Sequence, residues 1–290
     1  MKRAIFLDYD QTELDRQYDQ RAWAPNAIEL INRYAADSAA VRKRVGEPET
    51  YDYGDTRAES LDLYRAHRAQ APIHVFIHGG AWRLLSARDS AFPAETFVRA
   101  GAHYVALDFA LLPTVALDQM VDQVRSAIAW LYRHAGQFGG DPNRIFISGH
   151  SSGAHLAAAA ATTDWAARFG LPPDVVKGAL CCSGIYDLEP VRLSARNDYV
   201  QLDAALVEAV SPIRQLANLR CPMAVGIGGR ESDEFKRQAR AFAGAVERHG
   251  VPVEFFEVPG VNHFEIVTTL ASPTGLLART ALHQMGLGLG

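Results

Sequence analysis

Ser151 stands between two glycines in Gly149-His150-Ser151-Ser152-Gly153. The apolar run Arg144-Ile145-Phe146-Ile147-Ser148 precedes it, and His155-Leu156 with the alanines 157 to 161 follow it. That order reads as strand, tight turn, helix, with a serine at the apex. Glycines on either side let the strand and helix backbones come close, and they leave the hydroxyl lifted above the sheet edge. A serine held this way suits nucleophilic attack on an acyl carbon. The plainer alternative is a glycine-rich helix start with a capping serine. A second motif weighs against it. The apolar strand Ile73-His74-Val75-Phe76-Ile77 runs into His78-Gly79-Gly80-Ala81-Trp82. Paired glycines after a strand allow backbone N–H groups to converge on one point, as an oxyanion requires. Gly79, Gly80, Ala81 and the N–H of Ser152 are the candidate donors.

Attack by a serine needs a base and an acid to orient that base. Met223-Ala224-Val225-Gly226-Ile227 and Val253-Glu254-Phe255-Phe256-Glu257-Val258 read as two late strands. Each ends in a polar loop, on the side where open parallel sheets collect ligands. The second loop carries His263, the candidate base. The first carries Glu231, Asp233 and Glu234, and spacing alone leaves these three open as the acid. Asp187 also follows a strand end, but one strand too early, and reads as a loop residue. His150 is expected to point away from the site, and His155 to pack in the core. Trp82 either lines the substrate pocket or wedges the donor loop against the core; Tyr186 either touches substrate or simply packs.

These elements imply an α/β-hydrolase fold: a mostly parallel, eight-stranded sheet with helices on both faces and a small cap, all in one domain over residues 1–290. Residues 1–45 read as an N-terminal helical arm over the mouth of the site. Residues 187–220 read as the cap insertion, with Leu202, Leu206, Val207 and Val210 suggesting one short helix. Tyr51-Asp52-Tyr53 and Leu61-Asp62-Leu63-Tyr64 alternate as two antiparallel strands. Residues 102–107 and 176–182 supply two more buried strands. Leu117, Val121, Val124, Ile128 and Leu131 mark a helix, and Gly139-Gly140-Asp141-Pro142 a turn after it.

The sequence resembles the arylformamidase (kynurenine formamidase) group of the esterase/lipase branch. The resemblance is carried by His78-Gly79-Gly80-Ala81-Trp82, by Gly149-His150-Ser151-Ser152-Gly153, by the run Gly229 to Gln238, by Gly260-Val261-Asn262-His263-Phe264 and by the early Leu14-Asp15-Arg16-Gln17-Tyr18. It spans most of the chain. It implies a Ser151–Glu231–His263 triad, because the group's acid lies just before a Ser-x-Glu-Phe run. It also implies hydrolysis of an aryl formamide, or a related amide or ester, through an acyl-enzyme. A general short-chain carboxylesterase and a non-catalytic ligand-binding relative are the alternatives. One stretch departs: related esterases show Tyr-Arg-Leu-Ala-Pro where this chain has Asp108-Phe109-Ala110-Leu111-Leu112-Pro113. With Ala81 and Trp82 in place of a longer glycine run, the indole is expected to crowd the acyl side and favour formyl or acetyl groups.

Bulk properties fit a soluble enzyme. The chain is 48% hydrophobic and 21% charged, with a formal net charge of −4. That balance gives no electrostatic case for nucleic acid or a membrane surface as partner. The start, Met1 to Asp10, is too short in apolar residues for a leader, and no run is suited to span a bilayer. Three cysteines, two of them adjacent, argue against a disulfide framework and for a reducing cytoplasm. No Cys/His cluster has metal-site spacing, and no cofactor is expected. The expected partner is a small-molecule substrate; homo-oligomerisation is left open.

Overall fold

The computed structural model describes residues 3–288; Met1 and Lys2 of the stretch read for a leader lie outside them. In chain order the elements are α1 (Gln11–Tyr18), α2 (Ala27–Val45), β1 (Glu49–Asp52), β2 (Ser60–Tyr64), β3 (Ala71–Ile77), α3 (Ala94–Arg99), β4 (His103–Leu107), α4 (Leu117–His134), β5 (Gly140–His150), α5 (Ser152–Ala161), α6 (Trp165–Phe169) and β6 (Val176–Cys182). The second half adds α7 (Glu189–Leu193), α8 (Asn197–Val200), α9 (Ala204–Val210), β7 (Met223–Gly228), α10 (Asp233–Arg248), β8 (Val253–Val258), α11 (His263–Ile266) and α12 (Leu276–Gln284).

One eight-stranded sheet has the order β1-β2-β4-β3-β5-β6-β7-β8. Only β2 runs against the rest, pairing antiparallel with both β1 and β4. The central strands are apolar along their whole length because helices cover both faces. Every residue of β3 and β4 is buried. Alternate side chains then separate into two cores. Ile73, Val75, Ile77, Val105 and Ile147 join one, with α4, α5 and α10; Phe76, Tyr104, Ala106 and Phe146 join the other, with α3 and α12.

Two local readings are corrected. Gly140-Asp141-Pro142 is the first part of β5, not a turn, because a register irregularity between Ala71 and Ile73 of β3 accommodates it. The turn falls earlier, at residues 135–139, where Gly139 takes a φ of 78°. The insertion after β6 holds three short α-helices and two single 3-10 turns, not one helix. Asp203 caps α9 by accepting from the Leu206 N–H, and Asn197 bonds the Leu202 backbone twice, closing off α8. Such caps occupy polar side chains and carry no hydrophobic period, which is why the pattern missed two of the helices. No helix among the described residues is long and apolar enough to cross a membrane.

Candidate active site

Ser151 occupies the turn between β5 and α5 with φ 57° and ψ −124°, a conformation costly for any residue with a Cβ. The chain around it enforces the strain. A Cβ on Gly149 would lie 2.1 Å from the Gly153 carbonyl oxygen, and one on Gly153 would lie 2.1 Å from that of Ile77. The Ser151 N–H donates to the Cys182 carbonyl at the end of β6 (2.9 Å).

The loop after β8 brings His263 to this serine, with Nε2 2.9 Å from Oγ. His263 Nδ1 lies 2.6 Å from Glu231 Oε2, in the loop after β7. A carboxylate cannot donate, so Nδ1 carries the proton and Nε2 accepts from the serine hydroxyl. Glu231 is 1% exposed, and its other oxygen accepts from the Gly228 N–H (2.7 Å) and the Ser183 hydroxyl (2.5 Å). Three donors therefore serve the two oxygens of this buried carboxylate, as a buried charge requires. Ser183 was not singled out in the sequence. It follows β6 directly, takes φ 56° and donates its N–H to Gly226. The only available sign was a polar residue immediately after an apolar strand.

The rival acids are engaged elsewhere. Asp233 is exposed beside Lys236. Glu234 is fully buried, held by Nε and Nη2 of Arg237 and by the Tyr18 hydroxyl. Asp187 pairs with Arg214.

Gly80 and Ala81 line the cleft with Ser151. Among the described residues the backbone N–H groups of Gly80, Ala81 and Ser152 make no intramolecular hydrogen bond. Gly79 lies behind them, where a Cβ would meet the His150 carbonyl at 2.8 Å, so its part is close approach. The Trp82 N–H donates to the Ser152 hydroxyl (3.1 Å), which ties the donor loop to the start of α5.

Trp82 and Tyr186, each read as either lining the pocket or packing in the core, lie outside the cleft. Trp82 is 1% exposed and its indole N–H donates to His155 Nδ1 (3.2 Å) beneath the loop. His155 in turn donates from Nε2 to the Val210 carbonyl, and burial lowers its pKa to about 4. An indole N–H needs a partner when buried, and here the partner is on the core side. The steric argument for small acyl groups therefore falls. Tyr186 is fully buried, stacked on Phe242 at 4.1 Å. His150 is corrected in the opposite sense. Its ring packs 4.7 Å from that of His263, and its Nε2 donates to the His263 carbonyl (2.8 Å). Burial, then the neighbouring His263, hold its pKa well below the usual histidine value. The stretch that departs from related esterases packs under the donor loop. Phe109 stacks on His78 at 4.5 Å, Asp108 accepts from the Ala87 N–H, and the Leu112 N–H donates to the Trp82 carbonyl.

The cleft itself has a volume of about 600 Å³. Tyr34 and Phe264 flank it, Leu84 and Leu85 of the donor loop form an apolar rim, and α1 and α8 close it with Tyr18, Arg196 and Tyr199. A serine, imidazole and carboxylate in one chain of hydrogen bonds, beside unengaged N–H groups, is the apparatus of acyl transfer.

Comparison with known proteins agrees with this geometry. A family model described as the alpha/beta hydrolase fold matches residues 74–266. The kynurenine formamidase of Danio rerio is 32% identical over 94% of this chain and 96% of its own length. The esterase LipQ of Mycobacterium tuberculosis is 29% identical over 80% of this chain and 60% of its own. A hyperthermophilic esterase from Pyrobaculum calidifontis superimposes with a TM-score of 0.71 at 20% identity, over 96% of this chain and 97% of that one. The chain thus belongs to the alpha/beta hydrolases, as a hydrolase of the arylformamidase-like group.

Proposed function

We propose that this enzyme hydrolyses a small aryl formamide through an acyl-enzyme on Ser151. The observation that carries the reading is the continuous relay Ser151 Oγ–His263–Glu231 opening onto a cleft beside unengaged N–H groups. His263 Nε2 takes the hydroxyl proton as Oγ bonds the formyl carbon, and Glu231 stabilises the imidazolium. The oxyanion accepts from the N–H groups of Gly80, Ala81 and Ser152. His263 then passes its proton to the aryl nitrogen, the C–N bond breaks and the arylamine leaves. Water adds to the acyl carbon by the same route in reverse, giving formate and free serine. The cleft mouth, bounded by Tyr34, Phe264 and Leu84, suits a flat aromatic leaving group.

Similarity to a kynurenine formamidase favours the amide over the ester. Similarity to the esterase LipQ keeps short-chain carboxylester hydrolysis as the second reading. A cytoplasmic location accords with Cys181, Cys182 and Cys221, all free and buried. The test is a parallel assay of N-formyl arylamines and short acyl aryl esters, with Ser151→Ala as control. Higher kcat/KM on formamides supports the first reading. Turnover of esters alone replaces it with the second.

A further inference from the structure

Glu231 and His263 sit on different loops, after β7 and β8, yet the N-terminal arm holds both. Gln20 is 3% exposed. Its Nε2 donates to the hydroxyl of Ser232 (2.7 Å), and its Oε1 accepts the Ser232 N–H (3.3 Å). Ser232 is the residue after Glu231 and caps α10. Six positions on, Asn26 accepts from Asn262 Nδ2 (2.8 Å) and donates to Glu265 Oε1 (2.9 Å). Asn262 precedes His263 and caps α11 through the Phe264 and Glu265 N–H groups. One short stretch of chain therefore grips the neighbours of the acid and of the base.

We propose that Gln20 and Asn26 are positioning residues that fix the Glu231–His263 hydrogen bond. The proposal rests on the relay reading above. The physical reason is where the direct ties between the two loops stop. Beyond the β7–β8 pairing, which ends at Gly228 and Val258, the loops are joined by the Gly229 N–H to the Val258 carbonyl (2.8 Å) and the Arg230 N–H to the Val261 carbonyl (3.0 Å). Glu231 and His263 lie one and two positions past the last of these bonds, and the arm holds the residue on the far side of Glu231 and the one just before His263. Gln20 holds one end and Asn26 the other. Gln20 also lines the cleft, so the brace borders the space that substrate fills.

The test replaces the brace without changing its volume, with Gln20→Met and Asn26→Leu. Organophosphate titration of Ser151 counts competent sites, so kcat is read per titrated site. Displacement of catalytic groups by a fraction of an ångström to an ångström costs up to about 100-fold. The expected result is a fall in kcat of about tenfold or more, with KM near the parent value. The low-field proton resonance of the His263 Nδ1–H···Glu231 bond should broaden or vanish in the same variants. A kcat per site within about twofold of the parent overturns the proposal, as does a fall in kcat with that resonance intact. If Gln20→Met does not fold, Gln20→Glu keeps the acceptor for the Ser232 N–H, removes the amide donor, and is read the same way. Ser151→Ala separates the two failures. Activity in that variant refutes the relay; an inactive Ser151→Ala beside normal brace variants refutes the brace alone.

Discussion

The cleft has two unlike walls. Its floor is made of strand-end loops and is strained. Ala81, Trp82, Ser151 and Ser183 all take positive φ there, although none is glycine. His78, His150 and His155 are buried around them. The roof, from α1 and the inserted helices, is built of short helices and half-exposed charges. Arg21 pairs with Asp19 at the surface, and Tyr199 is stacked by Arg83 of the donor loop at 4.6 Å. Strain persists only where surroundings over-determine it, so the floor is the rigid part. Exposed pairs contribute little to stability, so these outer roof positions, unlike the buried Tyr18 and Gln20, are free to vary. The floor and its brace are thus expected to set the chemistry, and the outer roof to set substrate choice.

Substitutions should divide along this line. Ser151→Ala removes the nucleophile and should lower kcat by about 10⁶-fold with the fold retained, as read by kinetics beside circular dichroism. Residual turnover near the parent rate would place the chemistry elsewhere. Glu231→Gln keeps the shape but disturbs the His263 tautomer, for an expected loss of about 10⁴-fold in kcat. If Asp233→Asn matched it, the acid would have been misassigned. Ser183→Ala leaves one Glu231 oxygen short of a donor. A hydrogen bond to a charged group is worth roughly 1.5–3 kcal/mol, so kcat should fall by at least about tenfold, with KM little changed. Trp82→Phe breaks the indole bond to His155 and should cost about 1–3 kcal/mol in urea unfolding while sparing turnover per folded molecule. A large change in acyl-chain preference would instead put the indole in the cleft. At the small end, Arg83→Gln, where the donor loop meets the roof at Tyr199, should leave stability within about 0.5 kcal/mol and change KM among aryl leaving groups. Equal KM values across such a series would deny the roof its selective role.

The legible part of the molecule follows the same division. The elbow, the donor loop and the order of strands were readable because each has a local signature: glycines at close approaches, apolar runs, polar loops after them. His263 was found by its place after the last strand. Glu231 needed the family register, since three carboxylates share its loop and only packing separates them. Trp82 and Tyr186 stayed open between cleft and core, and His150 was misplaced, for one reason. The direction of a side chain in a positive-φ loop depends on partners distant in sequence, such as His155 for Trp82 and the His263 carbonyl for His150. Ser183 and the brace were invisible on the same ground, their partners lying 48 and more than 200 residues away.

That separation has a consequence for how the enzyme comes into being. Gln20 meets Ser232 across 212 residues, and Asn26 meets Asn262 across 236. The arm leaves the ribosome more than 200 residues before its partners. Closing so long a loop is entropically slow and is rewarded only once both ends are structured. The sheet from β3 to β6 can assemble while the arm is still unattached. Docking of the arm is then expected late in folding, after the sheet, with the relay completed only when it occurs. Activity would appear after secondary structure in a refolding time course, and the interval between them measures that last closure.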